Sequence, residues 1–163
     1  MINGLVIILG IILLFRVLYH EKKKNRLPLL ITKSILSLLF VAAALLQPRS
    51  VPAYFNYLFI GLVFCLVGDV CLALPQKKAF MAGLVAFLIG HVLYILSFSS
   101  LIPVSHWFSS GLFIIVGISG LIFFWLRPHL KAMLVPVLLY IVVITLMAAG
   151  AWAVFWNMGY ALD

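Results

Sequence analysis

The chain has 163 residues, 67% of them apolar and only 9% charged, and its mean hydropathy is +1.32. A soluble domain carries about 25% charged and about 45–50% apolar residues, so this composition excludes a water-solvated surface and leaves lipid as the solvent. The formal net charge is +8, but the bases sit at the ends of apolar runs, where orientation and anionic headgroups account for them; no soluble basic face offers itself to a nucleic acid.

The first apolar run is Gly4 to Tyr19. No basic region precedes it and no small-residue cleavage site follows, so it reads as a retained span rather than a secretory signal. After the basic stretch His20 to Arg26 and Pro28, the second span is predicted from Leu29 to Leu46. Pro48 and Pro52 break the chain before a third span, Tyr54 to Leu74. A tight turn, Pro75 to Lys78, leads to the fourth span, Ala79 to Phe98. A polar loop, Ser99 to His106, precedes the fifth, Trp107 to Leu126; Arg127 to Lys131 forms the next turn, and the sixth span runs from Ala132 to Trp156. About six spans of roughly 20 residues fit the length, and the expected fold is an all-α polytopic transmembrane helix bundle forming a single domain over 1–163.

Loop charges alternate. Lys22, Lys23, Lys24 and Arg26 follow span one, Arg49 alone follows span two, Lys77 and Lys78 follow span three, no Lys or Arg follows span four, and Arg127 and Lys131 follow span five. Basic loops face the cytoplasm, so the N-terminus is expected outside, with anionic headgroups at the cytoplasmic face as partners. Trp107, Trp152 and Trp156 then fall near the outer face, as an interfacial aromatic belt would.

Polar residues inside apolar runs carry the functional information. Asp69 is the only acid within any span, on a stripe with Leu58, Leu62, Cys65 and Leu72. A charged side chain at mid-bilayer costs roughly 2.5–3.5 kcal/mol on insertion scales, which makes it a candidate for function. Lys33, early in the antiparallel second span, is the candidate counter-charge; alternatively its stem lets the amine reach the headgroups. In span four, Phe80, Gly83, Phe87, His91 and Tyr94 line one face, and Ala82, Ala86 and Gly90 form a small-residue packing stripe beside it. His91 serves either a cavity or an interhelical hydrogen bond. Gly68 permits close approach to Asp69 or simply packs. Tyr140, one turn after Pro136, is a cavity candidate or a packing tyrosine. Cys65 and Cys71 lie about 9 Å apart along a helix axis and point different ways, so neither a disulfide nor a metal motif arises. No phosphate loop, zinc signature or Ser–His–acid pattern is present; no metal and no cofactor are expected.

The string Gly68-Asp69-Val70-Cys71-Leu72, followed by Phe80, Gly83, Phe87, Gly90-His91 and Tyr94, resembles the core signature of the YhhN-like lysoplasmalogenase family. Lys33 matches that family's lysine in its second helix, and Pro136, Tyr140 and Met147 resemble a later helix; the resemblance covers Leu29 to Ala149. It implies a family fold of about eight helices and hydrolysis of the vinyl ether of a membrane lysophospholipid to a fatty aldehyde and a glycerophospho-headgroup. Asp69 matches the first of two family aspartates. The second belongs to a late helix with a Ser-Asp signature, and the chain reaches Asp163 before any such helix, so the expectation is a shortened member or a sequence lacking its last spans. The expected location is a bacterial inner membrane.

The residues suit that chemistry. Vinyl ether hydrolysis begins with protonation at carbon, which yields an oxocarbenium ion that water captures before the hemiacetal collapses. The acid must still hold its proton near neutral pH; desolvation favours that state and a nearby ammonium opposes it. The site reading is therefore Asp69 and His91 as catalytic residues, with Lys33, Tyr94, Tyr140, Gly68 and Phe87 binding substrate. The alternatives are a proton-coupled transporter or small-molecule binder, because Asp, His and Lys are also the parts of a proton relay, and an inactive or fragmentary family member.

Overall fold

The computed structural model describes residues 2–23, 26–47, 50–108, 110–130 and 133–159. Lys24, Pro48, Arg49, Lys131 and Asp163, read above as loop charges, a breaker and the last acid, lie outside the described residues. Six helices follow one another: α1 (Ile2–Lys22), α2 (Arg26–Leu45), α3 (Pro52–Ala73), α4 (Lys77–Ser99), α5 (Ser110–Leu130) and α6 (Leu134–Gly159). A short 3₁₀ turn, Val104–Trp107, precedes α5, and the described residues contain no strand.

Each helix holds a stretch of 19 to 24 residues long and apolar enough to cross a membrane. At 1.5 Å per residue these lengths match a hydrocarbon core roughly 30 Å thick. Side chains that a soluble fold would bury are exposed: Phe113 by 81%, Leu121 and Trp125 by 74% each. Lipid tails are the solvent that accepts such a surface, and a helix satisfies its backbone polar groups without water. The protein is an all-α, multi-pass membrane protein. Pro28, Pro52 and Pro136 all stand in first turns, where the missing N–H removes no intrahelical bond.

The fifth span departs from expectation. Trp107 does not begin it: Pro103 is extended (φ −54°, ψ 142°), the chain makes one 3₁₀ turn, and α5 starts at Ser110. The Trp107 indole folds back, donates to the Ile102 carbonyl at 3.2 Å and is only 4% exposed. It is a core residue rather than part of a lipid-facing belt. At its far end α5 runs through Pro128 to Leu130; proline's fixed φ is helical, and the loss of one N–H near the end of a helix does not stop it.

The described residues fall into two compact units, one within Met1–Ser50 and Leu58–Gly90, the other within Val51–Tyr57 and His91–Asp163. In the first, α1 packs on α2, and α3 packs closely on the first part of α4. A Cβ on Gly90 would lie 2.9 Å from Cys65 Sγ and 3.0 Å from the Gly61 carbonyl; one on Gly83 would lie 3.0 Å from Leu72. Gly83, Ala86 and Gly90 are buried while Ala82 is exposed, so the small-residue packing stripe runs through Gly83 instead of Ala82. In the second unit α5 packs on α6. Trp107 stands over Gly150, whose Cβ would lie 2.8 Å from the ring, and Trp152 fills the space over Gly111. Ser97, fully buried, donates to the Tyr54 carbonyl at 2.8 Å, tying the end of α4 to the start of α3.

Candidate functional site

Asp69 stands four residues before the end of α3 and is half-buried. Its Oδ2 accepts a hydrogen bond from the Ser37 hydroxyl on α2. A helical serine can turn its proton to the carbonyl one turn back; Ser37 gives it to Oδ2 of Asp69 instead, which satisfies that oxygen in an apolar setting. Lys33 lies one turn nearer the N-terminus of α2, about 6 Å along the axis from Ser37. Among the described residues no ion pair joins Lys33 to Asp69. The α2–α3 hairpin does bring span two to Asp69, but through a hydroxyl. Lys33, half-buried and close to the helix end, has the place of a lysine whose amine reaches toward headgroups.

Gly68 turns the same part of α3 toward α4. A Cβ there would lie 2.7 Å from two ring carbons of Phe87. The missing side chain is what lets the Phe87 ring settle against the backbone next to Asp69. Asp69, Ser37, Gly68 and Phe87 therefore form one neighbourhood in the first unit.

A second set belongs to the other unit. The His91 ring meets Tyr94 edge-on at 6.0 Å between centroids and Tyr140 at 5.6 Å. The sequence places all three as cavity candidates, and the fold gathers them although Tyr140 comes from α6. Between α5 and α6 runs a groove of about 290 Å³, lined by Phe123, Ile141, Ser119 and Thr145 among others. Thr145 Oγ1 lies 2.7 Å from Ser119 Oγ and 2.7 Å from the Ile141 carbonyl oxygen. The groove holds no acid or base, so its hydroxyls join helices rather than perform proton chemistry. Neither Cys65 nor Cys71 is in a disulfide. Among the described residues no three His, Cys, Asp or Glu side chains gather as metal ligands would.

A model of the YhhN family matches residues 29–161. The chain belongs to the YhhN family. Neither the curated proteins nor the solved structures give a match. The YhhN match covers every candidate site residue, from Lys33 to Tyr140, and leaves α1 outside.

Ser37 is the hydrogen-bond partner of Asp69 that sequence reasoning missed. The available signal was its spacing: it stands one turn after Lys33, on the same face of α2. Replacing it has a defined consequence. Ser37→Ala leaves a half-buried carboxylate oxygen without its donor, and thermal unfolding in detergent is expected to show a loss of about 1–3 kcal/mol. An unfolding midpoint equal to that of the wild type would mean that water or lipid replaces the hydroxyl at no cost.

Proposed function

We propose that this protein is a membrane-embedded hydrolase that cleaves the vinyl ether of lysoplasmalogen-type lysophospholipids. The observation that carries the reading is Asp69: an acid a full turn inside α3, whereas Glu21 stands at the very end of α1, hydrogen-bonded by Ser37 and flanked by the Gly68–Phe87 contact, in a chain of the YhhN family. Because the Ser37 hydroxyl donates to Oδ2, a proton carried by the carboxyl sits on Oδ1. In the proposed reaction Oδ1 gives that proton to the vinyl carbon distal to the ether oxygen. The π pair forms the new C–H bond, and positive charge develops on the carbon bonded to oxygen. Water adds to that carbon and returns a proton to Asp69. The hemiacetal expels the glycerophospho-alcohol and leaves a fatty aldehyde. Ser37 stabilises the transient carboxylate, and Phe87 offers an apolar surface to the chain. Lys33, near the helix end, suits the substrate phosphate.

The test is aldehyde release from lysoplasmalogen by purified, folded protein. No release from a preparation with a cooperative unfolding transition rejects the hydrolase. Uptake into proteoliposomes that follows a pH gradient and vanishes in Asp69→Asn replaces it with proton-coupled transport.

The alternating loop charges further support an N-terminus outside and the Ser99–His106 loop on the outer face. Ser105 is exposed. A cysteine placed there is expected to react with a membrane-impermeant thiol reagent in intact cells. Labelling only after lysis, with any outer membrane already permeabilised, reverses the orientation.

A further inference from the structure

Helix α1 lies outside the part of the chain matched by the family, yet it carries a charge within its apolar stretch. Arg16 sits inside the span Gly4–Lys22, six residues before its end, and is exposed. Among the described residues it makes no ion pair or hydrogen bond. Tyr19, His20 and Lys23 follow Arg16 at intervals of three, four and seven, so the four side chains share one face of α1, whereas Glu21 and Lys22 project from others. The Lys23 amine is drawn back along the helix to 4.6 Å from the centre of the Tyr19 ring. That ring packs edge-on against the His20 imidazole at 5.4 Å. His20 Nδ1 is buried without a hydrogen-bond partner. Nε2 is the ring nitrogen left open to a ligand, and a proton carried there makes it a donor.

We infer that Arg16, His20 and Lys23 form a binding site for the phosphate of one anionic phospholipid. Three donors share one face of α1, two of them permanently cationic, and among the described residues no carboxylate pairs with them. The Arg16 guanidinium offers the planar fork that fits two phosphate oxygens, and charge-assisted bonds of this kind strengthen where water is scarce. Arg16 starts about 9 Å below the end of the helix, and its long stem carries the head toward the phosphate level of the bilayer. The occupant is a lipid rather than a free anion, because the apolar side chains on the same flank, Ile8, Ile12 and Phe15, are exposed along the helix below the cluster and give an acyl chain a surface to lie on.

The experiment is a lipid titration of delipidated protein read by native mass spectrometry, with unfolding midpoints measured in parallel. Wild type is expected to retain one phosphatidylglycerol in preference to phosphatidylcholine. Arg16→Gln with Lys23→Gln is expected to weaken that retention at least about tenfold. Lys77→Gln with Lys78→Gln removes the same charge elsewhere and is expected to leave retention unchanged. Arg16→Lys keeps the charge but loses the fork, and His20→Leu loses one donor; each is expected to weaken retention at an unchanged midpoint, and these two decide if the double variant does not fold. Equal retention of phosphatidylcholine, an equal loss in the Lys77/Lys78 variant, or undiminished retention in Arg16→Lys and His20→Leu overturns the site. Displacement of the lipid by millimolar inorganic phosphate assigns it to a free anion instead.

Discussion

Asp69→Asn is expected to suppress aldehyde release by about 10²–10⁴-fold, the usual contribution of a positioned general acid, while the helices stay assembled. Asparagine keeps the size and shape of the side chain, and its amide oxygen still accepts the Ser37 proton. The change removes only the acidic proton from Oδ1. The measurement pairs turnover of lysoplasmalogen with thermal unfolding in detergent. A folded variant that still turns over moves the acid to another group. A variant that unfolds early points to a structural carboxylate, and the double change with Lys33→Met then separates two causes. Breaking a buried ion pair by neutralising one partner costs about 3–5 kcal/mol, and removing the second charge recovers stability. The hydrogen bond runs from Ser37 and no ion pair joins Lys33 to Asp69 among the described residues, so the expected result is a stable single variant and no rescue by Lys33→Met.

The membrane architecture was legible because lipid imposes one demand on every span: enough apolar residues in a row, with the backbone satisfied within the helix. Runs such as Tyr54 to Leu74 meet it directly, and α3 follows within two residues at the start and one at the end. The start of α5 was not legible by the same rule. Trp107 is apolar and adjoins an apolar run, so hydropathy assigns it to the span; its true place depends on the extended Pro103 and on Gly150 of α6, which gives the indole room. No local property of Trp107 distinguishes a ring facing lipid from one lying on a glycine.

The site divides along the same line. Asp69 stood out because a single acid among apolar residues is expensive wherever it points. Gly68 came with it as the small residue beside the acid, and Phe87 as part of the face that carries His91. Ser37 did not, because a hydroxyl costs little in a helix and Ser34 stands one turn ahead of it on the same apolar run. Which of them meets α3 depends on how the α2–α3 hairpin is rotated about its axes, and almost uniformly apolar spans carry no periodicity that fixes this rotation. Tyr140 reaches His91 for a related reason: the pairing belongs to the packing of α4 and α6 and has no counterpart in spacing along the chain.

The second large effect is expected where α3 and α4 touch. Gly68→Ala and Gly90→Ala each place a methyl group into a filled contact, and overpacking of this kind costs typically about 1–3 kcal/mol. The two differ in what stands in the way. At Gly68 the three atoms nearest the new Cβ all belong to the Phe87 ring, the closest at 2.7 Å, so trimming that ring removes the main obstacle. At Gly90 it meets Cys65 Sγ at 2.9 Å and the Gly61 backbone carbonyl at 3.0 Å, and a carbonyl fixed in a helix cannot rotate aside. Phe87→Leu is therefore expected to restore much of the stability lost in Gly68→Ala, whereas Cys65→Ala restores only part of that lost in Gly90→Ala. Thermal unfolding of the four variants in one detergent checks this. Turnover adds a second readout: if Phe87 also lines the path of the alkenyl chain beside Asp69, Gly68→Ala with Phe87→Leu regains its fold and still binds lysoplasmalogen more weakly. Full recovery of both stability and affinity limits Phe87 to packing. No loss at all in Gly90→Ala means that α3 and α4 do not approach as closely as the glycine contacts require.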